Sequence, residues 1–332
     1  MHKLRVAIIG LGHQSTSDHI PQVESSPSLK IVSVCDTDPT RVKKFLQTHQ
    51  NIEGFTNLKD LLARSRFDFA IVATPHATHN SIAKMLLSHR IPVLKEKPLS
   101  ISFRSARSLV AFAKNSQVQL SIALQRRSNP AYNSFFKLIK RIGRPFYIDI
   151  RYTFYTPIPH EGWRGVRAHA GGGCLIDMGY HMVDLLMWYF GLPDQVLAEI
   201  SSEAKEGIVY DAEDTAHAMF RYRNKKLWGT LLVSRVIPPK HEYFDIYGTR
   251  GILHLEKEKI ELRSSNGDVL RVIKNSKKSA SGENQIGKFA KSLQNKRAKM
   301  NFMESHLAHM AFIEAAYHSV RTRRYVDPHK FH

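Results

Sequence analysis

The chain has 332 residues, 42% of them hydrophobic and 23% charged, which is enough for about two domains with hydrophobic cores. Lysine and arginine number 49 against 29 aspartate and glutamate residues, and the resulting net charge of +20 favours an anionic partner without indicating a fold. The longest apolar run, residues 185–192, is too short to span a bilayer, no cleavage site follows the apolar residues 6–12, and two cysteines exclude a disulfide framework, so we expect a cytoplasmic protein.

Strands alternate with helices in the first part of the chain. The predicted strands lie at residues 4–9, 30–35, 67–73, 92–94 and 118–123, and the predicted helices lie at residues 39–46, 80–89 and 102–114. Such alternation predicts a parallel, doubly wound sheet that helices cover on both faces. We therefore predict an α/β domain over residues 1–123.

The pattern changes near residue 124. A long extended run at 144–156 and a helical run at 174–190 are followed by strands without intervening helices, at residues 195–201, 214–222, 226–234, 242–247, 251–255 and 259–263. Consecutive strands predict an α+β domain over residues 124–332 with a large, mostly antiparallel, open sheet. The final helix, predicted at 302–320, is a candidate to pack back on the first domain. Because strand 228–233 is too apolar to face water, we expect a homodimer or homotetramer.

A glycine-rich turn follows the first strand, with the pattern Gly10-x-Gly12-x-x-Ser15. Gly10 permits a tight turn, Gly12 lets the backbone approach a pyrophosphate, and a small Ser15 lets the next helix pack closely. Asp36, at the end of the second strand, would accept hydrogen bonds from the adenosine ribose and repel a 2′-phosphate. The pattern predicts dinucleotide binding with NAD preferred over NADP, a preference that the nearby Arg41 and Lys43 moderate. A purely structural turn is the alternative.

Three further segments carry motifs of one family. They read Thr74-Pro75-x-x-x-His79, Glu96-Lys97-Pro98 and Gly171-Gly172-Gly173-x-x-x-Asp177-x-Gly179-x-His181-x-x-Asp184. From residue 4 to about residue 327 the chain resembles the glucose–fructose oxidoreductase, inositol dehydrogenase and rhizopine-catabolism group, called Gfo/Idh/MocA. Ser15 departs from the glycine or alanine that is commoner in this family. The resemblance implies a Rossmann domain, NAD as cofactor and hydride transfer at a secondary alcohol or ketone of a sugar, sugar derivative or cyclitol.

Candidate catalytic residues follow from the third motif. Asp177, His181 and Asp184 would lie on one face of an otherwise apolar helix, where polar groups are costly unless they face a cavity or have partners. An acid one turn from a histidine can fix its tautomer, as a general base requires. The resemblance implies that His181 accepts the substrate proton, that Asp177 is its partner and that Lys97 lies beside the reacting oxygen and the nicotinamide ribose. A helix cap with a structural histidine is the alternative.

Two sets of binding residues complete the prediction. The predicted cofactor-binding residues are Gly10, Gly12, His13, Gln14, Ser15, Asp36, Arg41, Thr74, Pro75, His76, His79, Glu96, Lys97 and Gln125. The predicted substrate residues are Arg127, Tyr152, His160, Trp163, Arg164 and Tyr243. Arginines also cluster in the two segments expected to flank the substrate, at positions 126, 127, 164 and 167, which predicts a phosphorylated or nucleotide-linked sugar. Solvent-facing charge is the alternative explanation of this cluster.

Other function classes fit the sequence less well. Cys174, Asp177 and His181 could ligate zinc by residue type, but no second histidine or cysteine pair is placed to complete the site, so we expect no metal. A catalytically silent NAD-binding regulator of the same fold is the alternative function, although such proteins tend to lose the catalytic residues. A nucleic-acid-binding protein is suggested by charge alone, because no recognition helix, zinc module or aromatic platform is apparent.

Overall fold

The computed structural model describes residues 3–257, 259–274, 284–295 and 303–332. Within these residues the chain forms two compact units. The first consists of Met1–Ser100, Arg104–Gln125 and Glu283–Glu304, and the second of Ile101–Phe103, Arg126–Gly282 and Ser305–His332. A late segment of the chain therefore belongs to the first unit. The prediction placed all residues after 123 in the second domain and did not include this segment.

The first unit is built on a six-stranded parallel sheet in the order β3-β2-β1-β4-β5-β6. Its strands are β1 (Leu4–Ile9), β2 (Leu29–Cys35), β3 (Glu53–Phe55), β4 (Phe69–Val72), β5 (Val93–Glu96) and β6 (Leu120–Ala123). This arrangement confirms the predicted doubly wound sheet. The short strand β3 was not predicted.

The α-helices in the described part of the chain vary from four to sixteen residues. They are α1 (Ile20–Glu24), α2 (Pro39–Thr48), α3 (Leu58–Arg64), α4 (His79–Ser88), α5 (Phe103–Ser116), α6 (Pro130–Leu138), α7 (Arg167–Ala170), α8 (Cys174–Asp177), α9 (Gly179–Phe190), α10 (Gln285–Gln294) and α11 (Leu307–Thr322). None of them is long and apolar enough to cross a membrane. Helices α3, α6, α7 and α10 were not predicted.

Helix α10 belongs to the first unit and helps to cover its sheet. Phe289 of α10 packs edge-on against Phe69 of β4, with ring centroids 5.3 Å apart. Ile286 is fully buried in the same cluster as Val6 and Ile8 of β1. Helix α11 belongs to the second unit, where it packs along β8, and residue 302 lies outside the described residues. The packing of the final helix on the first domain stays a prediction.

The second unit is built on an eight-stranded sheet in the order β14-β13-β12-β11-β7-β10-β9-β8. Its strands are β7 (Pro145–Tyr155), β8 (Gln195–Ser201), β9 (Thr215–Tyr222), β10 (Leu227–Ser234), β11 (Val236–Gly248), β12 (Gly251–Glu256), β13 (Lys259–Arg263) and β14 (Val269–Lys274). Neighbouring strands are antiparallel except β7 and β10, which are parallel. The mostly antiparallel sheet is confirmed, and β14 is an addition to it.

The two faces of this sheet have different surroundings. On one face Phe244 of β11 packs edge-on against Phe135 of α6, and Phe220 of β9 against Phe312 of α11. Side chains alternate between the faces along a strand, so their neighbours lie on the opposite face. There Trp228 of β10 is 43% exposed. The helices thus leave an aromatic residue of the other face in contact with solvent, as the open-sheet prediction requires.

Candidate active site

The nucleotide-binding motifs of the first unit meet at one edge of its sheet. Gly10 follows β1, Asp36 follows β2, Thr74 follows β4, Lys97 follows β5 and Gln125 follows β6. Because all six strands are parallel, these positions lie at the carboxyl ends of the strands. Ligands of such sheets bind at this edge, where the strand order reverses between β1 and β4. The fold therefore brings the predicted cofactor residues to the position where a dinucleotide binds.

The turn after β1 is shaped by two glycines with different surroundings. Gly10 has φ +94°, and a Cβ atom there would lie 2.4 Å from the carbonyl oxygen of Ala73. A Cβ atom at Gly12 would meet no atom within 4 Å. The Ser15 hydroxyl donates to the Gly10 carbonyl at 2.5 Å and closes the turn from inside. Gly10 is thus required by the fold, whereas the space at Gly12 fits the close approach of a phosphate group.

Asp36 connects the end of β2 to the same turn. Its Oδ2 accepts the backbone N–H of Leu11 at 2.7 Å, and its Oδ1 accepts that of Asp38 at 2.9 Å. The Arg41 guanidinium lies 3.8 Å from Oδ2. A carboxylate has about four acceptor sites, so it can still accept ribose hydroxyls. The side chain expected to select NAD therefore also holds the glycine turn in place.

The residues between Gly12 and β2 add polar contacts of their own. His13 is exposed, and the Gln14 amide donates to Asp18 at 3.0 Å. His19 is fully buried, with its Nε2 2.8 Å from a carboxylate oxygen of Glu96. The other oxygen of Glu96 accepts the backbone N–H of Lys97 at 3.1 Å. Glu96 thus fixes the start of the segment that carries Lys97.

The two histidines of the turn after β4 are both buried. His79 donates from Nε2 to the Thr74 carbonyl at 2.7 Å. Complete burial, together with the nearby charges of Lys95 and His76, holds the pKa of His79 well below its usual range. His76 is 5% exposed. His79 was predicted to bind the cofactor. In the structure its hydrogen bond to the Thr74 carbonyl shapes the turn after β4.

The candidate catalytic residues of the second unit lie on one nearly continuous helical run. Helix α8 ends at Asp177, and Met178 keeps helical dihedral angles before α9 begins. The His181 backbone N–H donates to the Met178 carbonyl at 3.2 Å, across the junction. Asp177 is 8% exposed, and Arg164 Nε donates to its Oδ2 at 3.2 Å. His181 is half-buried. The expected one-face arrangement of acid and histidine follows from this continuity.

Glu213 is a residue of this region that sequence reasoning did not single out. Its carboxylate is buried and accepts the backbone N–H groups of Gly173 at 2.7 Å and Leu175 at 3.0 Å, and the Tyr317 hydroxyl at 2.8 Å. Burial raises its pKa against these hydrogen bonds. A Cβ atom at Gly173 would lie 1.8 Å from the Glu213 carbonyl oxygen, so glycine is required there. Glu213 thus caps the helical run that carries Asp177.

The third residue of the predicted stripe, Asp184, is engaged by charged neighbours. Arg127 Nη2 lies 2.7 Å and His309 Nε2 2.9 Å from its Oδ1. Burial alone would raise the pKa of Asp184, but the hydrogen bond from His309 and the charge of Arg127 lower it. Asp184, His306 and His309 could hold a metal by residue type. Arg127 already supplies the positive charge at that carboxylate, so we assign Asp184 as the partner of Arg127 rather than as a metal ligand.

The remaining arginines of the cluster also have partners. Arg126 Nη2 donates to Glu242 at 2.6 Å, and its guanidinium lies 5.6 Å from the ring centre of Tyr152. The guanidinium of Arg167 lies 4.6 Å from the ring centre of Tyr317. Three of the four arginines that predicted an anionic substrate therefore face a carboxylate.

The predicted substrate residues divide between the two faces of the sheet. Tyr152 of β7 pairs in register with Glu242, and Tyr243 pairs with Arg151, so the two tyrosines point to opposite faces. Burial raises the pKa of Tyr152, to which the negative charges of Glu242 and Asp177 add. The Tyr243 hydroxyl instead donates to Asp149 at 2.9 Å. The structure therefore groups Tyr152 with the candidate catalytic residues and does not bring Tyr243 to them.

Two aromatic contacts place the other substrate candidates. The Arg164 guanidinium lies 4.4 Å from the ring centre of Trp163. His160 stacks on Tyr210 with ring centroids 5.5 Å apart. Trp163 therefore shares a partner with the Asp177 carboxylate, since Arg164 contacts both.

This geometry defines a class of protein. A parallel sheet with the order β3-β2-β1-β4-β5-β6, an open glycine turn after β1 and an acid after β2 are features of a Rossmann dinucleotide-binding unit. Two matches to known protein families agree with this fold. Residues 4–124 match the oxidoreductase family with an NAD-binding Rossmann fold, and residues 138–254 match the GFO/IDH/MocA C-terminal domain. The chain belongs to the Gfo/Idh/MocA family of NAD-dependent oxidoreductases, as its motifs predicted.

Several relatives show the range of the family. The chain is 27% identical over 248 residues to trans-1,2-dihydrobenzene-1,2-diol dehydrogenase from Xenopus laevis, covering 72% of each protein. It is 26% identical over 238 residues to 1,5-anhydro-D-fructose reductase from Ensifer adhaerens, covering 68% of this chain and 67% of that protein. The crystal structure of the WlbA dehydrogenase from Bordetella pertussis with NADH and UDP-GlcNAcA is similar in fold, with a TM-score of 0.82 at 22% identity over 98% of this chain and 99% of that chain.

Proposed function

We propose that the protein is a dehydrogenase or reductase that uses NAD to interconvert a secondary alcohol and a ketone on a sugar, a sugar derivative or a cyclitol. The observation that carries the proposal is the position of His181, a half-buried titratable side chain on the mostly buried helix α9. A histidine one turn from an acid, on an otherwise apolar helix, is suited to proton exchange with a substrate hydroxyl. The relatives named as a diol dehydrogenase and an anhydrofructose reductase support a polyhydroxylated substrate.

Three side chains of the second unit, His181, Asp177 and Arg164, would together transfer the proton of the substrate hydroxyl. NAD, when bound, accepts or supplies the hydride. His181 removes the hydroxyl proton during oxidation and returns it during reduction. Asp177 orients the imidazole, and Arg164, which donates to the Asp177 carboxylate at 3.2 Å, holds that carboxylate in one direction. A fixed carboxylate is needed because a histidine base must present the correct nitrogen.

Lys97 has a separate role in this proposal. Its position after β5 is at the sheet edge where dinucleotides bind. An ammonium group there would bind the nicotinamide ribose and stabilise negative charge on the substrate oxygen as the proton leaves. Glu96 supports this role because it accepts the Lys97 backbone N–H at 3.1 Å and contacts His19 at 2.8 Å.

The charge of the substrate is a second part of the proposal. The neighbour bound to UDP-GlcNAcA supports a nucleotide-linked sugar as one substrate class. The pairing of Arg126, Arg127 and Arg164 with carboxylates leaves less free positive charge than the sequence suggested. Neutral sugars and cyclitols are therefore the second candidate class, and the two classes can be separated directly.

The proposal is tested with a panel of sugars, cyclitols, sugar phosphates and nucleotide sugars. Each compound is assayed with NAD and with NADP by the absorbance of the reduced nicotinamide, and NADH binding is measured by fluorescence. Turnover of at least one member with NAD supports the proposal. NADH binding without turnover of any member would favour the catalytically silent regulator instead.

His181→Ala tests the proposed base. A positioned general base contributes typically ~10²–10⁴-fold, so we expect kcat to fall by about that factor. NADH binding should stay within about twofold of wild type, because the predicted cofactor residues lie in the first unit. Asp177→Asn should lower kcat less, and the exposed His89→Ala is the matched control with unchanged kcat. Wild-type turnover by His181→Ala at every pH would show that the role is wrong.

A further inference from the structure

A lysine that has no part in the proposed reaction is completely buried in the first unit. Lys95 lies on β5, between β4 and β6, and is 0% exposed. Its Nζ donates to the carbonyl oxygens of Pro98 at 2.7 Å and Leu99 at 3.0 Å. Lysine is almost never fully buried unless its charge is paired. Here both hydrogen-bond partners are carbonyl groups of the segment that follows the strand.

The surroundings suit a neutral amine as well as an ammonium group. The two carbonyl acceptors match the two N–H bonds of a neutral amine, whereas an ammonium group has three. Burial lowers the pKa of Lys95 to about 7, against a smaller opposing effect of the Glu96 charge. The Lys95 amine is therefore a buried donor whose two hydrogen bonds both go to backbone carbonyls.

The segment that Lys95 holds is anchored on both sides. Before it, Glu96 accepts the Lys97 backbone N–H at 3.1 Å and lies 2.8 Å from His19. After it, the Asn80 amide donates to the Ser100 hydroxyl at 2.9 Å. Between these anchors the Lys95 amine holds the two carbonyls that directly follow Lys97. The backbone around Lys97 is thus fixed from three directions.

We propose that Lys95 is a positioning residue for Lys97: by binding the Pro98 and Leu99 carbonyls it fixes the direction in which the Lys97 side chain leaves the end of β5. The inference rests on the proposed function, because that function gives Lys97 its role. Packing alone does not explain this lysine, since an apolar side chain of similar volume could occupy the same buried position. A methionine would fill the same space without the amine.

A double-mutant cycle tests the inference. Lys95→Met, Lys97→Met and the double variant are compared for kcat on the best substrate of the panel and for NADH affinity by fluorescence. Because a displacement of about 1 Å can cost ~10²-fold in rate, we expect Lys95→Met to lower kcat by about 10- to 100-fold. NADH affinity should change by less than about threefold. In the Lys97→Met background, Lys95→Met should change kcat by less than about threefold, because residues that act through one another are not additive. Lys84→Met, which removes a lysine bonded to Ser108 in the same unit, is the control with wild-type kcat.

The outcomes separate this inference from the proposed function. Wild-type kcat in Lys95→Met, or the same fold-loss with and without Lys97, would overturn the positioning role while leaving the proposed function intact. Wild-type kcat in Lys97→Met would instead overturn the role proposed for Lys97, and with it this inference. If Lys95→Met does not fold, Lys95→Leu, which also removes both N–H donors, replaces it in the same cycle with the same criteria.

Discussion

Replacing Asp36 by alanine would remove two functions of one carboxylate. The buried Leu11 N–H, which donates to Asp36 at 2.7 Å, would lose its partner away from water, at a cost of ~1–3 kcal/mol in the free energy of unfolding. A negative charge would also disappear from the place where a 2′-phosphate would lie. Two unit charges ~5 Å apart interact by about 3 kcal/mol at an effective dielectric constant of ~20, which is about a hundredfold in binding.

We therefore expect Asp36→Ala to unfold at lower denaturant concentration and to narrow the ratio of kcat/KM for NAD over NADP by about 10- to 100-fold. Arg41, 3.8 Å from the Asp36 carboxylate, would become available to the phosphate. Asp38→Asn is the matched control for stability, because it changes an acid 3.3 Å from Arg41 and keeps the bond between Asp36 and Leu11, so its denaturant midpoint should stay near wild type. Steady-state assays with both cofactors decide the matter. A wild-type preference for NADP, or an unchanged ratio in Asp36→Ala, would refute the reasoning.

Three further predictions concern assembly, substrate charge and pH. Analytical ultracentrifugation at micromolar concentration should show a dimer or tetramer, since Trp228 on the open sheet face is 43% exposed, and a monomer alone would contradict this. Within a matched pair of substrates, the phosphorylated or nucleotide-linked member should have the higher kcat/KM at low salt, and this advantage should shrink as the salt concentration rises. Equal kcat/KM values for the two members would contradict the prediction and would assign the basic surface to solubility. Burial lowers the pKa of Lys95 from 10.5 to about 7, so between these values the unfolded chain holds a proton that the folded chain releases, and stability rises with pH. Denaturant unfolding at pH 7 and pH 9 should show wild type gaining about 2 kcal/mol relative to Lys95→Met, and parallel changes in the two proteins would count against the titration of Lys95.

The sequence predicted those parts of the fold whose signals are local. Apolar runs and the glycine turn place β1, and Pro39 with its Asp38 cap places the start of α2. Short or exposed elements gave no such signal: β3 has three residues, and β14 is largely exposed. The parallel pairing of β7 with β10 also escaped prediction. Adjacent strands in the chain predict adjacent strands in the sheet, but β7 inserts between β10 and β11.

The candidate site shows the same limit at the level of side chains. The spacing of Asp177 and His181 is visible in the sequence, because one helix sets it. The cap that Glu213 provides joins residues 40 positions apart, and its contact with Tyr317 spans 104 positions. No spacing rule indicates such partners. The requirement for glycine at position 173 is understood only once Glu213 is seen against it.

The charge of an arginine in this protein indicates its function only once the acid that it contacts in the folded structure is known. The net charge of +20 and a cluster of arginines suggest a strongly cationic substrate site. In the folded second unit, Arg127 lies 2.7 Å from Asp184 and Arg164 lies 3.2 Å from Asp177. Each of these arginines therefore forms an ion pair with an acid on the helical run of α8 and α9. Buried acids need such partners, since an unpaired buried charge is expensive. These arginines are therefore explained first by the acids they hold, and attraction of an anionic substrate must come from positive charge that those acids leave uncompensated.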